Sequence, residues 1–294
     1  MIYDAIIIGN GPAGISAALY TIRANLKTLV IGLGDSVLKK ASKIENYYGF
    51  SEPVSGEKLI NEGENQLKRL GGVILKEEVI GIEKEDIFHV KTVNDAYTAR
   101  TVLIATGQKQ AVIKIRNLKK FEGKGISYCT TCDGFFYRGK KVGVLGYKDF
   151  ALHEANELLQ FTSDITVFTN GESTNFTEES LIDKFRINEK PIAAFEGEEF
   201  IEKIVFEDGS EYHVDGIFIA YGTASSINFA LKMGILTNNQ AIAVNENMET
   251  NIPGLYAAGD CTGVFKQIAV AVGQGAIAGK NMIEYVRAQS KMDD

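Results

Sequence analysis

An α/β fold of two similar parallel-sheet domains, the second inserted in the first, is what this 294-residue sequence predicts. Three observations carry it. An apolar strand runs into a complete G-x-G-x-x-G near the N-terminus, a second apolar strand ending in glycine stands mid-chain, and a third precedes a small-residue-rich helix near the C-terminus. Strands alternating with helices are the pattern of parallel sheets with crossover helices.

The first unit starts at Ala5-Ile6-Ile7-Ile8, apolar throughout as a central parallel strand is. Gly9-Asn10-Gly11-Pro12-Ala13-Gly14 follows, then a helix with Ile15, Ala18, Leu19 and Ile22 on one face, then the strand Thr28-Leu29-Val30-Ile31. In this setting the glycines permit a tight turn, close approach of a pyrophosphate, and close helix–strand packing. The exposed amides of the helix start meet the phosphate charge. The acid expected after the second strand is missing: Gly32-Leu33-Gly34 stands there, with Asp35 as a substitute. Residues 36–72 are polar and partly helical, with Glu45-Asn46-Tyr47-Tyr48-Gly49-Phe50 rich in turn signals. From Val73 to Ala99 short alternating runs predict a β-meander, ending in the strand Val102-Leu103-Ile104-Ala105 and Thr106-Gly107.

The middle repeats this plan in shorter form. Lys141-Val142-Gly143-Val144-Leu145-Gly146 predicts a strand, Phe150 to about Phe161 a helix, and Ile165-Thr166-Val167-Phe168 a strand. A hairpin from Ile201 to Val214 turns at Asp208-Gly209, and Ile217-Phe218-Ile219-Ala220-Tyr221-Gly222 echoes residues 103–107. Leu255-Tyr256-Ala257-Ala258-Gly259-Asp260-Cys261 and a helix from about Gln267 to Val286 need an apolar surface to cover, and the first domain supplies it. The reading is therefore α/β with two Rossmann-like (three-layer ββα) domains, each with a β-meander: residues 1–114 and 243–294 form one, 115–242 the other. Two nucleotide-type folds in tandem suggest a two-nucleotide flavoenzyme.

Composition narrows the function classes. A net charge of −7 without a run of basic residues argues against nucleic acid as a partner. No uncharged apolar run reaches the length of a membrane span, and the chain enters a strand at once, so a cytoplasmic protein without signal peptide is expected. Three cysteines are too few for a disulfide scaffold. Two of them form Cys129-Thr130-Thr131-Cys132-Asp133, a spacing that serves a redox disulfide or a metal. A structural zinc site needs about four ligands, and His89, His153 and His213 lie at no metal spacing from the pair. The flanking Thr and Asp argue against two inert buried thiols. A redox pair and no metal is the reading, with Cys261 as a lone buried thiol.

With Cys-x-x-Cys-Asp-Gly-Phe-Phe between two such units, the chain resembles a low-molecular-weight thioredoxin reductase. The matching motifs are Gly9 to Gly14, Glu45-Asn46-Tyr47, Ala105-Thr106-Gly107, Cys129 to Tyr137, and Gly254 to Cys261 followed by Lys266-Gln267. The resemblance implies a homodimer with one FAD per chain. It puts cofactor contacts at Gly9, Gly11, Pro12, Ala13, Gly14, Asn46, Ala105, Thr106, Gly107, Gly259, Asp260, Lys266, Gln267 and Ile268. It also implies that Cys132 faces the flavin, that Cys129 exchanges with thioredoxin, and that Asp133 handles protons. Phe135 and Phe136 fall where the family docks thioredoxin, with core packing as the alternative. A turn of the middle domain on its two crossings, near 114 and 242, is the expected way of presenting the dithiol.

The departures concern the donor. Members that use NADPH carry a second glycine fingerprint; here Gly146-Tyr147-Lys148-Asp149-Phe150-Ala151 places Lys148 at its second glycine. Their arginine-rich loop for the 2′-phosphate is replaced by Phe168-Thr169-Asn170-Gly171-Glu172-Ser173, and no Lys, Arg or His occurs from 154 to 183. From Lys109 to Lys141, by contrast, nine basic residues face only Glu122 and Asp133. This is similar to the ferredoxin-dependent flavin thioredoxin reductases, so reduced ferredoxin is the expected donor and thioredoxin the expected acceptor. A divergent NAD(P)H site, a dithiol oxidase and a non-catalytic thioredoxin-binding flavoprotein are the alternatives.

Overall fold

The structure, a computed structural model, describes residues 1–34, 36–107, 113–238, 241–263 and 265–291. Two compact units divide the chain: Met1–Lys109 with Ser225–Asp294, and Gln110–Ala224. The second is thus inserted in the first.

Unit one opens with β1 (Ile2–Ile8), α1 (Pro12–Arg23) and β2 (Thr28–Ile31). Ile6 and Ile7 are fully buried and Ile8 nearly so, each burial stabilising by about 1.5–3 kcal/mol. Pro12 begins α1, where its missing N–H costs nothing. Next come α2 (Gly56–Arg69), β3 (Val73–Leu75), β4 (Val79–Lys84), β5 (Phe88–Thr92) and β6 (Ala96–Ile104). The expected meander starts at β4, because β3 pairs parallel with β2 through Leu29 and Val73. The two short runs expected at 97–99 and 102–105 are one nine-residue strand, β6. Its first half pairs antiparallel with β5, its second parallel with β1. One strand therefore joins meander and parallel sheet.

Unit two contains β7 (Ile126–Ser127), α3 (Thr130–Asp133), β8 (Val142–Leu145), α4 (Asp149–Leu158), β9 (Ile165–Phe168), α5 (Glu179–Ile182) and β10 (Arg186–Asn188). After them come β11 (Ile192–Glu196), β12 (Lys203–Phe206), β13 (Glu211–His213) and β14 (Gly216–Ile219). The parallel sheet runs β10-β9-β8-β14-β7, and β11-β12-β13 form a separate antiparallel sheet. The expected hairpin is β12–β13; β11 extends it to three strands. Phe121, Phe168, Phe195 and Ile204 fill the core beneath, all at 0% exposure.

The chain re-enters unit one before α6 (Ser226–Met233), earlier than the expected crossing near 242. The reason is packing: α6 lies against β4 of the first unit. A capping box between Ser225 and Asn228 starts that helix and Gly234 ends it. After β15 (Thr237–Asn238) and β16 (Ala241–Ile242) comes β17 (Leu255–Ala257), parallel to β6 through Val102 and Leu255. Finally α7 (Ile268–Ser290) lies along α1. A Cβ on Gly275 would stand 2.1 Å from the Ala13 carbonyl oxygen, so the small residues of α7 allow this close approach.

Candidate active site

The redox turn lies between β7 and β8 of unit two. Cys129 and Cys132 form a disulfide, with Cα atoms 5.3 Å apart. Cys129 precedes α3, and its sulfur accepts from the Cys132 N–H at 3.1 Å, so the short helix holds both cysteines in one turn. The two are unequal: Cys129 is 3% exposed, whereas Cys132 is exposed. Ser127 is the hub behind them. Its hydroxyl donates to Asp133 Oδ2 at 2.6 Å and accepts from the Cys129 N–H at 3.1 Å. The carboxylate is thereby tied to the cysteine backbone. Thr130, between the cysteines, contacts Glu154 and Glu157 of α4. Ser127, Thr130 and the two glutamates escape sequence reasoning, because the contacts of Thr130 span 24 and 27 residues. Phe135 and Phe136 are 61% and 67% exposed and meet edge to face, which removes the core-packing alternative.

The glycine fingerprint of unit one forms a cradle at the end of β1. Gly9 has φ +113°, and a Cβ there would stand 2.3 Å from the Ala105 carbonyl oxygen. A Cβ on Gly14 would stand 1.8 Å from the Gly9 carbonyl oxygen. Gly11 is different: nothing lies within 4 Å of a Cβ built there, so the protein itself does not need that glycine. A ligand does. No side chain caps α1 at Gly11 and Pro12 carries no N–H, which leaves the amides of Ala13 and Gly14 to be satisfied from outside.

Other expected positions gather round this cradle. Ala105 N–H bonds the Ile8 carbonyl at 2.8 Å, which sets Thr106 and Gly107 beside Gly9. The Thr106 hydroxyl is buried without a hydrogen-bond partner, as a group awaiting a ligand would be. A Cβ on Gly259 would come within 3.1 Å of the Ala13 Cβ and 3.7 Å of the Ala271 Cβ. The turn at Gly259-Asp260 therefore stands between the first turns of α1 and α7. Asn46 Nδ2 donates to Gln267 Oε1 at 2.8 Å, joining residues far apart in sequence. Gln267 precedes α7 and Ile268 begins it, without a side-chain cap, and Lys266 is exposed beside them. Asn10 Nδ2 also reaches Glu64 of α2 at 2.8 Å, a partner the sequence did not signal. Asp35 lies outside the described residues. Free amides, an orphaned hydroxyl and vacant space at Gly11 fit a dinucleotide cofactor.

The matching place in unit two is filled. Gly146 repeats Gly9, with its Cβ position 2.2 Å from the Ala220 carbonyl oxygen. Lys148 stands where Gly11 does, immediately before α4, in extended backbone that any residue adopts. The segment 175–178 folds back over the helix start. Asn175 N–H donates to the Tyr147 carbonyl at 2.8 Å, and the Asp149 carboxylate accepts from Thr177 N–H and Oγ1, each at 2.7 Å. Glu178 N–H also points at Asp149, 3.4 Å away, while the Glu178 carboxylate pairs with His153. Tyr147 and Tyr221 meet edge to face alongside, and Tyr221 donates to Glu172 at 3.2 Å. Burial pushes the Tyr221 hydroxyl up to about 12. At the start of α4 the chain's own strap is thus held through the Tyr147 carbonyl and the Asp149 carboxylate.

Cys261 is fully buried, and its thiol donates towards the Ile104 and Ala258 carbonyls. Burial, and then the neighbouring Asp260, push it up to about 12 from an ordinary 9.0. The neutral thiol is the folded form. Its contribution to stability is full below the ordinary value and is lost as pH rises from there towards 12. Cys261→Ala is therefore expected to flatten the alkaline fall in unfolding midpoint and to leave disulfide activity intact. A variant that keeps FAD yet loses activity would contradict this. Among the described residues, no three His, Cys, Asp or Glu are grouped to hold a metal, and no helix is long and apolar enough to cross a membrane.

Comparison with known proteins covers nearly the whole chain. The family model described as pyridine nucleotide-disulphide oxidoreductase matches residues 3–275. A thioredoxin reductase of Bacillus subtilis is 34% identical over 97% of this chain and 95% of its own. Among solved structures, the atypical thioredoxin reductase of Desulfovibrio vulgaris Hildenborough superposes with a TM-score of 0.94 at 40% identity, covering 97% of this chain and 98% of that one. A ferredoxin-flavin thioredoxin reductase of Clostridium acetobutylicum gives 0.74 at 31% identity, covering 98% and 99%.

Proposed function

Because the chain belongs to the pyridine nucleotide-disulphide oxidoreductase family, with thioredoxin reductases along its full length, we propose that it carries electrons from reduced ferredoxin to thioredoxin through FAD and the Cys129–Cys132 disulfide. The cradle at Gly9, Gly11, Pro12, Ala13 and Gly14 holds the pyrophosphate, with the Thr106 hydroxyl and the turn at Gly259-Asp260 completing it. Ala105 and Gly107 shape its floor. Asn46, Lys266, Gln267 and Ile268 line the other end of the cofactor. When bound, FAD supplies the chemistry that connects one-electron donors to a two-electron disulfide. Cys132, the exposed sulfur, receives the electrons; Cys129, released from it, attacks the disulfide of thioredoxin; Asp133, steadied by Ser127, takes and returns the proton. The exposed Phe135 and Phe136 offer thioredoxin an apolar contact. A cytoplasmic homodimer is the working form in this reading.

The observation that carries the choice of donor is the strap at 175–178, bonded to Asp149 over the start of α4. A pyridine nucleotide would have to displace these bonds and the Lys148 side chain, and would find no cation for a 2′-phosphate from 154 to 183. The basic stretch supports an acidic protein donor: Lys114, Arg116, Lys119, Lys120, Lys124, Arg138 and Lys140 are exposed, while Lys109 lies outside the described residues. Energetics allow it. From about −400 mV for a plant-type ferredoxin to about −270 mV for thioredoxin, two electrons release about 6 kcal/mol. An anaerobic absorbance titration tests the proposal. Reduced ferredoxin is expected to bleach the flavin with a rate that falls as salt rises, and NADPH and NADH to leave it oxidised. Rapid bleaching by micromolar NADPH, with matching thioredoxin turnover, would replace ferredoxin by a nucleotide.

A further inference from the structure

The end of β2 stands beside the glycine fingerprint, because Ile8 of β1 pairs with Ile31 and the Gly9 N–H donates to the Ile31 carbonyl at 2.7 Å. Gly32 follows, at the place where a dinucleotide fold carries the acid for its ribose. That place is taken. A Cβ on Gly32 would lie 2.6 Å from Asn10 Oδ1 and 2.9 Å from the Asn10 backbone nitrogen. Asn10 is 5% exposed, so its side chain is packed there and does not swing into solvent. An acid at position 32 would collide with it. The Asn10 side chain leads instead to another carboxylate, since its Nδ2 donates to Glu64 Oε1 at 2.8 Å. Glu64 belongs to α2, which packs against α1. The neighbouring Gly63, whose Cβ position is 3.3 Å from Ile15 Cγ2, keeps α2 close to the start of α1. Glu64 thus comes to the fingerprint from 54 residues away.

We propose that Glu64 supplies from α2 the carboxylate that the end of β2 lacks, and that it receives the adenosine ribose hydroxyls of FAD. A carboxylate has about four lone-pair sites, and the bond from Asn10 uses one of them. The others suit two neighbouring hydroxyls, each of which donates. Asn10 acts through Glu64 and is a positioning residue: it fills the space of the missing acid and fixes the direction of its replacement. The inference rests on FAD being the cofactor of the first unit, and it is independent of the electron donor.

The test compares two flavins on the full-length protein stripped of its cofactor. Flavin fluorescence gives the Kd of FAD and of its analogue carrying 2′,3′-dideoxyribose in the adenosine half. Wild type is expected to bind FAD about ten-fold or more tighter than the analogue. Glu64→Ala should weaken FAD to the level of the analogue and leave the Kd of the analogue where it was. Asn10→Ala should shrink the same ratio. A general structural role would weaken both flavins alike and keep the ratio, and that result would overturn the proposal. So would a ratio lost on Asp35→Asn but kept on Glu64→Ala, which would move the contact to Asp35. Should Glu64→Ala fail to fold, Glu64→Gln, which still accepts from Asn10 but carries no charge, should narrow the ratio, and an unchanged ratio would count against the assignment. Tight FAD binding with no preference over the analogue would remove the ribose contact and leave the cofactor standing. A wild-type protein that takes up neither flavin would sink the FAD reading itself.

Discussion

Replacing Cys132 by serine is expected to lower thioredoxin reduction by at least about 1,000-fold, because the covalent route disappears while cofactor binding stays intact. FAD should remain bound and should still be bleached by the donor, with the electrons stranded there. Cys129→Ser should be equally inactive, yet the two variants should differ towards alkylation. The structure leaves Cys132 exposed and Cys129 at 3% exposure, so iodoacetamide should label the thiol of Cys129→Ser much faster than that of Cys132→Ser. Stopped-flow absorbance and a timed labelling series read the two effects. Wild-type thioredoxin turnover in either variant would remove the disulfide from the electron path.

The second large effect is expected at the cradle. Gly14→Ala sets a Cβ 1.8 Å from the Gly9 carbonyl oxygen, a contact that only a backbone shift relieves. Overpacking of this kind costs about 1–3 kcal/mol, and here it moves the turn that meets the pyrophosphate. FAD retention should weaken about ten-fold or more, since each 1.4 kcal/mol is a factor of ten. Gly273→Ala is the control. It lies in α7 with nothing within 4 Å of the new methyl, and alanine in a helix interior gains about 0.5–1 kcal/mol over glycine. Flavin content after gel filtration and thermal melts distinguish the two. Equal FAD retention in both variants would show that the cradle does not carry the cofactor.

The first βαβ unit and the closing of the first domain by the C-terminal strand and helix were legible because their patterns are local. Ile6 to Gly14 holds strand, turn and helix start within a few residues, and β17 is apolar enough to demand a sheet edge. The redox pair was legible for the same reason. Non-local pairing was not. β3 joins β2 instead of the meander, a choice made by the sheet edge that β2 offers and not by the composition of Val73–Leu75. β11 was missed because an irregularity between Ile192 and Ala194 breaks its alternation, and β12 supplies the pairing. At the site, Lys148 was readable as a departure from glycine. The bonds of Asp149 to Thr177 and of Ser127 to Asp133 depend on how loops return, which no local pattern encodes.

The strap over α4 also works as a ratchet. Replacing Lys148 by glycine clears one side chain, yet Asp149 still holds Thr177 and Asn175 still holds Tyr147. Removing the strap instead exposes the Asp149 carboxylate, now 7% exposed, and several backbone groups before any nucleotide is present to compensate them. Opening this segment for a nucleotide is thus uphill in stability until one is bound. In the proposed reading, a chain that uses this segment as part of its own framework tunes a protein donor through surface charge more easily than it admits a soluble coenzyme to its second unit.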